Sequence, residues 1–378
     1  MPIDPVRLLQ DLIRRPSVTP AEEGVLGVLE AVLVPLGFTC QRLRFEGDGS
    51  YPVDNLFATR GTGGRHLLFA GHTDVVPPGD AARWAHPPFA AEIAEGLIYG
   101  RGAADMKSGI AAFVAALSRA PAEGRVSLAI TNDEEADSVN GTDKLMAWAA
   151  AQGHRFDFAI VGEPSASLRV GDSIKIGRRG SYSAELRVTG TQGHVAYPEK
   201  ANNPLPVAAA LVTALSGRLD EGTEHFPPSN LEFTTVDVGN PTGNVIPAAV
   251  TMRFNVRHND RWSPETLQRH VGDVIERLDK HGATVELVQL GRPSRVFLSP
   301  LDGAVDTLVD TIARLTGQLP ELSTGGGTSD ARFIAAYCPV VECGLPGPTM
   351  HKVDEHIRLA DLEALTDLYA AFIADYLR

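Results

Sequence analysis

The chain has 378 residues, a length that favours two domains over one hydrophobic core. Its formal net charge of −13 argues against a nucleic-acid partner, which binds to a basic surface. The sequence contains no uninterrupted apolar run long enough for a membrane span, so we expect no membrane association.

The N-terminus and the cysteines predict a cytoplasmic protein. The first residues, Met-Pro-Ile-Asp-Pro-Val-Arg, lack the basic start and apolar core of a secretory signal. Cys40, Cys338 and Cys343 are odd in number and have no paired spacing. We therefore expect free thiols in a reducing compartment rather than a disulfide framework.

The first part of the chain alternates helical and strand patterns. Helical periodicity covers residues 5–15 and 21–36, and Gly37 follows at the position of a C-terminal stop. Four apolar runs of strand length follow, at residues 66–70, 125–131, 156–161 and 340–343. Helical patterns at 108–120 and 141–151 lie between them. This alternation predicts an α/β fold with a mixed, mostly parallel sheet and helices on both faces. Ligand sites in such sheets lie beyond the carboxyl ends of the strands.

The pattern changes near Gly180, where strands begin to alternate apolar and polar residues. The sequence predicts strand 182–189, helix 204–218, strand 232–238, strand 249–258, helix 264–280 and strand 284–290. The order β-α-β-β-α-β is that of an α+β ferredoxin-like domain. The α/β pattern resumes with a helix at 303–316. We therefore predict a discontinuous catalytic domain at 1–180 and 293–378, with a second domain inserted at 181–292.

Five short segments carry metal-type side chains at the ends of predicted elements. Their side chains are His72, Asp74, Asp105, Glu134, Glu135, Glu163 and His351. Taken singly, each segment has an ordinary structural interpretation, such as a helix cap or a solvated acidic turn. Together, two histidines and three carboxylates can hold two divalent metals that share one carboxylate. Ligation rich in carboxylate favours a hydrolytic zinc pair over a structural zinc site, which would be rich in cysteine.

These segments resemble the motifs of the di-zinc aminoacylase/carboxypeptidase superfamily, in the same order and over nearly the whole chain. The motifs are His-Thr-Asp-Val-Val-Pro at 72–77, Gly-Arg-Gly-Ala-Ala-Asp-Met-Lys at 100–107, Asn-Asp-Glu-Glu at 132–135, Gly-Glu-Pro-Ser at 162–165 and His351. Four further segments resemble the branch that removes succinate from N-succinyl-LL-2,6-diaminopimelate in lysine and diaminopimelate biosynthesis. These segments are residues 176–181, 193–198, 243–247 and 326–333.

The resemblance implies a zinc-peptidase-like fold with two Zn²⁺ ions per subunit, for which Co²⁺ can substitute. Asp105 would bridge the two ions. His72 and Glu163 would complete one site, and Glu135 and His351 the other. The resemblance also implies a cis peptide bond after Asp105.

The same resemblance implies a catalytic role for three other residues. Glu134 would be the general base of amide hydrolysis, and Asp74 would orient the imidazole of His72. His194 would donate a hydrogen bond to the developing oxyanion in the neighbouring subunit of a homodimer. The inserted domain would then act as a lid and provide the two-fold interface.

A small-molecule substrate with several carboxylates requires cationic and neutral donors. The cationic candidates are Arg178 and Arg257, because a guanidinium binds a carboxylate through two hydrogen bonds. The neutral candidates are Ser181, Tyr197, Asn244, Gly327 and Thr328. The sequence has Gly347 where many members of the superfamily carry an Asn, so that contact must come from elsewhere.

Two other functions stay open. One is a different deacylase of the superfamily, such as an acetylornithine deacetylase, or a dipeptidase. The other is a metal-dependent binding protein without catalysis. The presence of Glu134 argues against this second alternative, since binding alone requires no general base.

Overall fold

The computed structural model describes residues 2–120 and 124–378. The described residues form nine α-helices: α1 (Pro5–Ile13), α2 (Val25–Leu33), α3 (Ser108–Arg119), α4 (Thr142–Ala151), α5 (Leu205–Leu215), α6 (Pro264–Arg277), α7 (Ala304–Thr316), α8 (Ala331–Ile334) and α9 (Leu359–Tyr376). No helix among them is both long enough and apolar enough to cross a membrane.

The described residues also form twenty strands, many of them short. They are β1 (Thr39–Gly47), β2 (Ser50–Arg60), β3 (His66–His72), β4 (Ile93–Ala94), β5 (Leu97–Tyr99), β6 (Arg125–Thr131), β7 (Phe158–Val161), β8 (Ser173–Lys175), β9 (Gly177–Arg178), β10 (Gly180–Thr189), β11 (Gly193–His194), β12 (Gly217–Arg218), β13 (Asn230–Asp237), β14 (Val245–Ile246), β15 (Ala249–His258), β16 (Thr284–Ser294), β17 (Phe297–Leu298), β18 (Glu321–Ser323), β19 (Val340–Glu342) and β20 (His356–Arg358).

The chain divides into two compact units, each described here by itself. The first comprises residues 1–177, 299–323 and 329–378, and the second comprises residues 178–298 and 324–328. The second unit therefore interrupts the first in the chain. The predicted limits of the inserted domain, 181 and 292, differ from these bounds by several residues at the C-terminal end.

An eight-stranded mixed sheet forms the centre of the first unit, in the order β1-β2-β6-β3-β7-β19-β8-β18. The neighbours β6-β3-β7-β19 run parallel, whereas β1, β2 and β6 pair antiparallel. Every residue of β3 is buried, which explains why this strand is a continuous apolar run. The predicted mixed, mostly parallel sheet is confirmed.

Helices cover both faces of this sheet. On one face the ring of Phe69 stacks on that of Phe113 of α3, with centroids 4.2 Å apart. On the other face the ring of Phe57 lies edge-on to that of Trp148 of α4, at 5.4 Å. This arrangement leaves the carboxyl ends of the parallel strands as the place where polar side chains can gather.

The elements absent from the sequence-based prediction include a hairpin and a long helix. The strands β1 and β2 form an antiparallel hairpin at the edge of the large sheet. The helix α9 packs against α3 and α7 near the C-terminus. The predicted helix at 21–36 starts only at Val25 and finishes as a 3₁₀ turn, and Gly37 follows with the left-handed φ of 84° expected of a stop.

The second unit contains a five-stranded antiparallel sheet in the order β12-β13-β15-β10-β16. Its four long strands have the order of a ferredoxin-like sheet, and the short β12 extends one edge. The helices α5 and α6 pack their apolar residues onto the buried side chains of β10 and β15. The predicted β-α-β-β-α-β order is thus the order found in this unit.

Candidate metal centre

The strand register brings three of the predicted segments to one edge of the sheet. In neighbouring strands His72 lies opposite Thr131, and Ala70 lies opposite Val161. The strands β3, β6 and β7 therefore end at nearly the same level. The residues that follow β6 and β7, including Glu134 and Glu163, emerge beside His72.

Asp105 lies between the two predicted histidine ligands. Its Oδ1 is 3.2 Å from Nε2 of His72, and its Oδ2 is 3.3 Å from Nε2 of His351. Each carboxylate oxygen thus faces a different imidazole. This is the arrangement that a carboxylate bridging two metal ions requires.

Each histidine also approaches a second carboxylate. Nε2 of His72 is 3.5 Å from Oε1 of Glu163, and Nε2 of His351 is 3.0 Å from Oε1 of Glu135. The ligand atoms of His72, Glu134 and Glu163 all lie within 4.8 Å of one another, as do those of His72, Asp105 and Glu135. The structure therefore brings all five predicted metal ligands together, with Glu134 beside them.

The electrostatics of this cluster fit bound cations. Burial and the charge of Asp105 raise the pKa of Glu163 to about 8. Burial and the charge of Glu163 raise the pKa of Glu134 well above its ordinary value. Burial and repulsion between neighbouring carboxylates thus disfavour the ionised forms of both groups, and the nearby imidazole of His72 offsets this only in part. Divalent cations would supply positive charge, and mixed carboxylate and imidazole ligation suits a metal such as zinc.

The carboxylate of Asp74 holds the loop that carries Glu134 and Glu135. Its Oδ2 accepts hydrogen bonds from both of their backbone amides, each at 3.1 Å, and from the hydroxyl of Thr19 at 2.7 Å. Nδ1 of His72 contacts the backbone oxygen of Asp74 at 2.9 Å, closer than Oδ1 of the carboxylate at 3.6 Å. The imidazole is therefore held mainly by the main chain of Asp74.

The turn that presents Asp105 is buried and tied to α1. The Asp105–Met106 peptide bond is cis, as the family resemblance implies. The fully buried ammonium of Lys107 donates to the backbone oxygens of Leu12 and Arg15, at 3.0 and 2.9 Å. Those carbonyls lie at the C-terminal end of α1, where a cation is favourable.

Asp133 organises the loop after β6, a role that the sequence did not indicate. Its buried carboxylate accepts hydrogen bonds from the Tyr51 hydroxyl at 2.6 Å and from the backbone amides of Ser138, Val139 and Asn140. One carboxylate thus closes the loop that begins with Glu134. The only sequence signal was its place in a run of three acids.

A buried ion pair joins Arg101 to Glu355, and the sequence did not indicate this pair either. Nη1 of Arg101 lies 2.5 Å from Oε2 of Glu355, and the two side chains are 3% and 0% exposed. Arg101 belongs to the turn before Asp105, and Glu355 follows His351 closely in the chain. The sequence signal for a role in the site was that each of the two residues lies close in the chain to a metal-type residue.

The remaining predicted site residues belong to the second unit. His194 and Tyr197 are exposed there, with ring centroids 5.7 Å apart. His194 pairs with Val245 between β11 and β14, and the backbone oxygen of Asn244 accepts from the amide of Val195. These three predicted residues therefore share one group of loops within that unit.

The other predicted substrate contacts lie on β9, β10, β15 and the 324–328 loop. Ser181 faces Arg257 across the β10–β15 pair, and the Ser181 hydroxyl accepts from the amide of Asn255 at 2.9 Å. The largely buried Arg178 donates to the backbone oxygen of Gly325 at 2.9 Å. Gly327 and Thr328 continue this loop. Their roles toward a substrate stay predictions.

An α/β unit with helices on both faces of its sheet and a carboxylate-rich, two-histidine cluster at its strand ends is typical of a metallo-hydrolase. The profile of Peptidase family M20/M25/M40 matches residues 68–375, and the chain belongs to this family. It is accordingly a metallo-hydrolase of the peptidase or amidase type.

Solved structures of similar fold cover almost the whole chain. A tripeptidase from Staphylococcus aureus has a TM-score of 0.78 and 19% identity over 99% of each chain. An M20 family metallo-carboxypeptidase from Sulfolobus solfataricus has a TM-score of 0.77 and 17% identity over 99% of each chain. A dinuclear metal-binding peptidase of the M20 family from Bacillus subtilis has a TM-score of 0.71 and 16% identity, covering 99% of this chain and 97% of its own.

Proposed function

We propose that this chain is a two-zinc amidohydrolase that cleaves N-succinyl-LL-2,6-diaminopimelate to succinate and LL-2,6-diaminopimelate, a succinyl-diaminopimelate desuccinylase of lysine and diaminopimelate biosynthesis. The observation that carries the hydrolytic part is the position of Asp105, whose two oxygens face His72 and His351 separately. His72 and Glu163 would hold one ion, and Glu135 and His351 the other.

Glu134 is the proposed proton carrier. When bound, the two cations would polarise the scissile carbonyl and lower the pKa of the attacking water. Glu134 would take a proton from that water and return it to the departing amine nitrogen. Asp74 would keep Glu134 in place through the hydrogen bond to its backbone amide.

The narrower substrate rests on the second unit. Arg178 and Arg257 would bind carboxylates of the succinyl and diaminopimelate groups through paired hydrogen bonds. Neutral donors would complete the contacts: Ser181, Tyr197, Asn244, Gly327 and Thr328. We further propose a cytoplasmic homodimer in which His194 of one copy donates to the oxyanion in the other.

A dipeptidase is the second candidate. The family name and the tripeptidase of similar fold both favour peptide substrates. Gly347 stands where many members of the superfamily carry an Asn, so it weakens the case for the succinyl substrate slightly. An acetylornithine deacetylase shares the metal residues and is the third candidate.

A substrate panel separates these candidates. The zinc-loaded protein is assayed with N-succinyl-LL-2,6-diaminopimelate, N-acetylornithine and an unblocked dipeptide, and release of the free amine is measured. We expect kcat/KM for the succinyl substrate to exceed the others by about 100-fold, because it offers the proposed cationic donors more carboxylates than N-acetylornithine or an unblocked dipeptide does. Faster turnover of either other substrate would reassign the enzyme, and no hydrolysis of any amide would favour the binding protein.

A further inference from the structure

The ion pair of Arg101 and Glu355 connects two segments of the metal centre. Arg101 lies four residues before Asp105, and Glu355 lies four residues after His351. Besides the side-chain contact, the backbone amide of Gly100 donates to the backbone oxygen of Glu355 at 2.8 Å. The two segments are therefore joined by both main chain and side chains.

Glu355 holds the main chain of the bridging aspartate. Its Oε1 accepts hydrogen bonds from the amide of Ala104 at 2.8 Å and from that of Asp105 at 3.2 Å. Its Oε2 is occupied by Arg101. Both carboxylate oxygens thus have fixed partners, so the backbone of Asp105 is held by a side chain that is itself locked.

Arg101 holds the main chain of the last histidine. Its Nη2 donates to the backbone oxygen of His351 at 3.4 Å, and its Nη1 donates to that of Lys352 at 3.3 Å. The guanidinium lies over the ring of Trp84, 5.2 Å from the centroid, which limits its orientation. His351 has a left-handed backbone with φ of 60°, a conformation that needs support from its surroundings.

We propose that Arg101 and Glu355 are positioning residues that set the spacing between Asp105 and His351 and thereby control one of the two metal sites. The inference rests on the proposed function, since it concerns the ion held by Asp105, Glu135 and His351. The other site shares Asp105, but its remaining ligands, His72 and Glu163, are positioned by the paired strands β3 and β7. Losing the ion pair should therefore weaken the site of Glu135 and His351 more than the other site.

Zn²⁺ titration of Arg101→Lys and Glu355→Gln tests this selectivity. The zinc-free proteins are titrated in competition with a chromophoric chelator, and Co²⁺ absorption spectra are recorded at each equivalent. We expect two ions per wild-type chain. Each variant should hold the first ion with wild-type affinity and the second about 10- to 100-fold more weakly, as other outer residues of metal sites do when replaced.

Arg119→Lys is the matched control. Arg119 pairs with Glu363 and Asp367 at 2.6 and 2.8 Å on the solvent side of α3 and α9, and it contacts no metal-type residue of the cluster. It should bind both ions as the wild type does. Activity at saturating Zn²⁺ should recover in Arg101→Lys, because the ligands themselves are unchanged.

Each alternative result has a distinct meaning. Two ions bound with wild-type affinity in both variants would overturn the proposal, as would equal weakening of both sites. Loss of folding in both variants, measured by circular dichroism, would overturn it by assigning the pair a general structural role. A wild-type chain that binds fewer than two ions would instead count against the proposed two-zinc function.

Discussion

Oδ2 of Asp74 lies 3.1 Å from the backbone amide of Glu134 and accepts its hydrogen bond. The same oxygen accepts from Glu135 and from the hydroxyl of Thr19. A ligand segment after one strand is thus fixed by a carboxylate after the neighbouring strand. Asp74 therefore holds the backbone of both the proposed base, Glu134, and a proposed ligand, Glu135. Its own backbone oxygen also contacts His72.

Replacing Asp74 by Asn should lower kcat about 10- to 100-fold, because a neutral amide oxygen is a weaker acceptor for the three donors than a carboxylate oxygen. Thr19→Val should produce a smaller loss, since it removes one of the three donors and leaves the carboxylate in place. The measurement is kcat and KM at saturating metal. An unchanged kcat in Asp74→Asn would remove this residue from the mechanism.

Glu134→Gln should abolish most of the hydrolysis while the metal content stays at the wild-type level. We expect a loss of about 10³-fold in kcat, the usual contribution of a positioned general base. Asp137→Asn is the control, because this carboxylate is exposed in the same loop and contacts only the Ser50 hydroxyl and solvent. Wild-type turnover by Glu134→Gln with metal bound would refute the proposed mechanism.

A mixing experiment tests whether His194 completes the site of a second copy. His194→Ala and Glu134→Ala are each expected to be nearly inactive. If subunits exchange and His194 acts across the dimer, a 1:1 mixture should recover about one quarter of wild-type activity, since half the dimers are mixed and each has one intact site. If activity does not recover after verified subunit exchange, His194 does not act across the dimer. It would then act in the site of its own subunit or have no catalytic role.

Removal of metal provides a prediction about the cluster as a whole. Dialysis against a strong chelator should abolish hydrolysis, and addition of Zn²⁺ or Co²⁺ should restore it. The reason is that the proposed reaction needs a cation to polarise the amide carbonyl and to lower the pKa of the attacking water. Metal binding should also raise the melting temperature, since the ions bind only the folded chain. Full activity of the metal-free protein would contradict the proposed function.

The buried ring of His66 leads to a prediction about how the free energy of unfolding depends on pH, independent of the metal centre. Its ring is buried, with Nδ1 2.8 Å from the backbone oxygen of Arg155 and Nε2 2.8 Å from the Ser127 hydroxyl. Burial lowers the pKa of His66 from 6.5 to about 4. Between these two pH values the unfolded chain therefore binds a proton that the folded chain does not.

The stabilisation from His66 is complete above pH 6.5 and is lost as the pH falls toward about 4. The free-energy gap between the wild type and His66→Gln should narrow by about 2 kcal/mol over that range. Urea unfolding at several pH values measures this gap. A constant gap in His66→Gln would show that burial does not suppress protonation.

The sequence predicted the central strands because they are buried on both faces and therefore read as apolar runs. The observed bounds of β6 and β15 match the prediction at both ends. The hairpin β1–β2 was missed because β1 is mostly exposed and carries no apolar run. The helix α9 was missed because alanines such as Ala360 and Ala364 also lie on its exposed side, which weakens the contrast between an apolar and a polar face.

The meeting of the candidate metal residues was predictable because parallel strands end at one edge, so short motifs far apart in sequence converge there. The residues that hold these side chains in place were not predictable. Glu355 accepts a hydrogen bond from the amide of Asp105, which is 250 residues away in the sequence. Asp133 could not be distinguished in the sequence from the other acidic residues of its turn. Such contacts depend on three-dimensional packing, which leaves no local pattern in the sequence.

The strand β19 lies between β7 and β8, although the ribosome makes it after both of them and after the whole second unit. During synthesis β7 therefore keeps an unpaired edge, and His351 has not yet joined Asp105. The nascent chain can gather His72, Asp105 and Glu163 early, but it can complete the centre only when its C-terminal residues emerge. Under the proposed function, full metal loading would thus come late in the synthesis of each chain, with the completion of the sheet rather than with the first appearance of the proposed ligands.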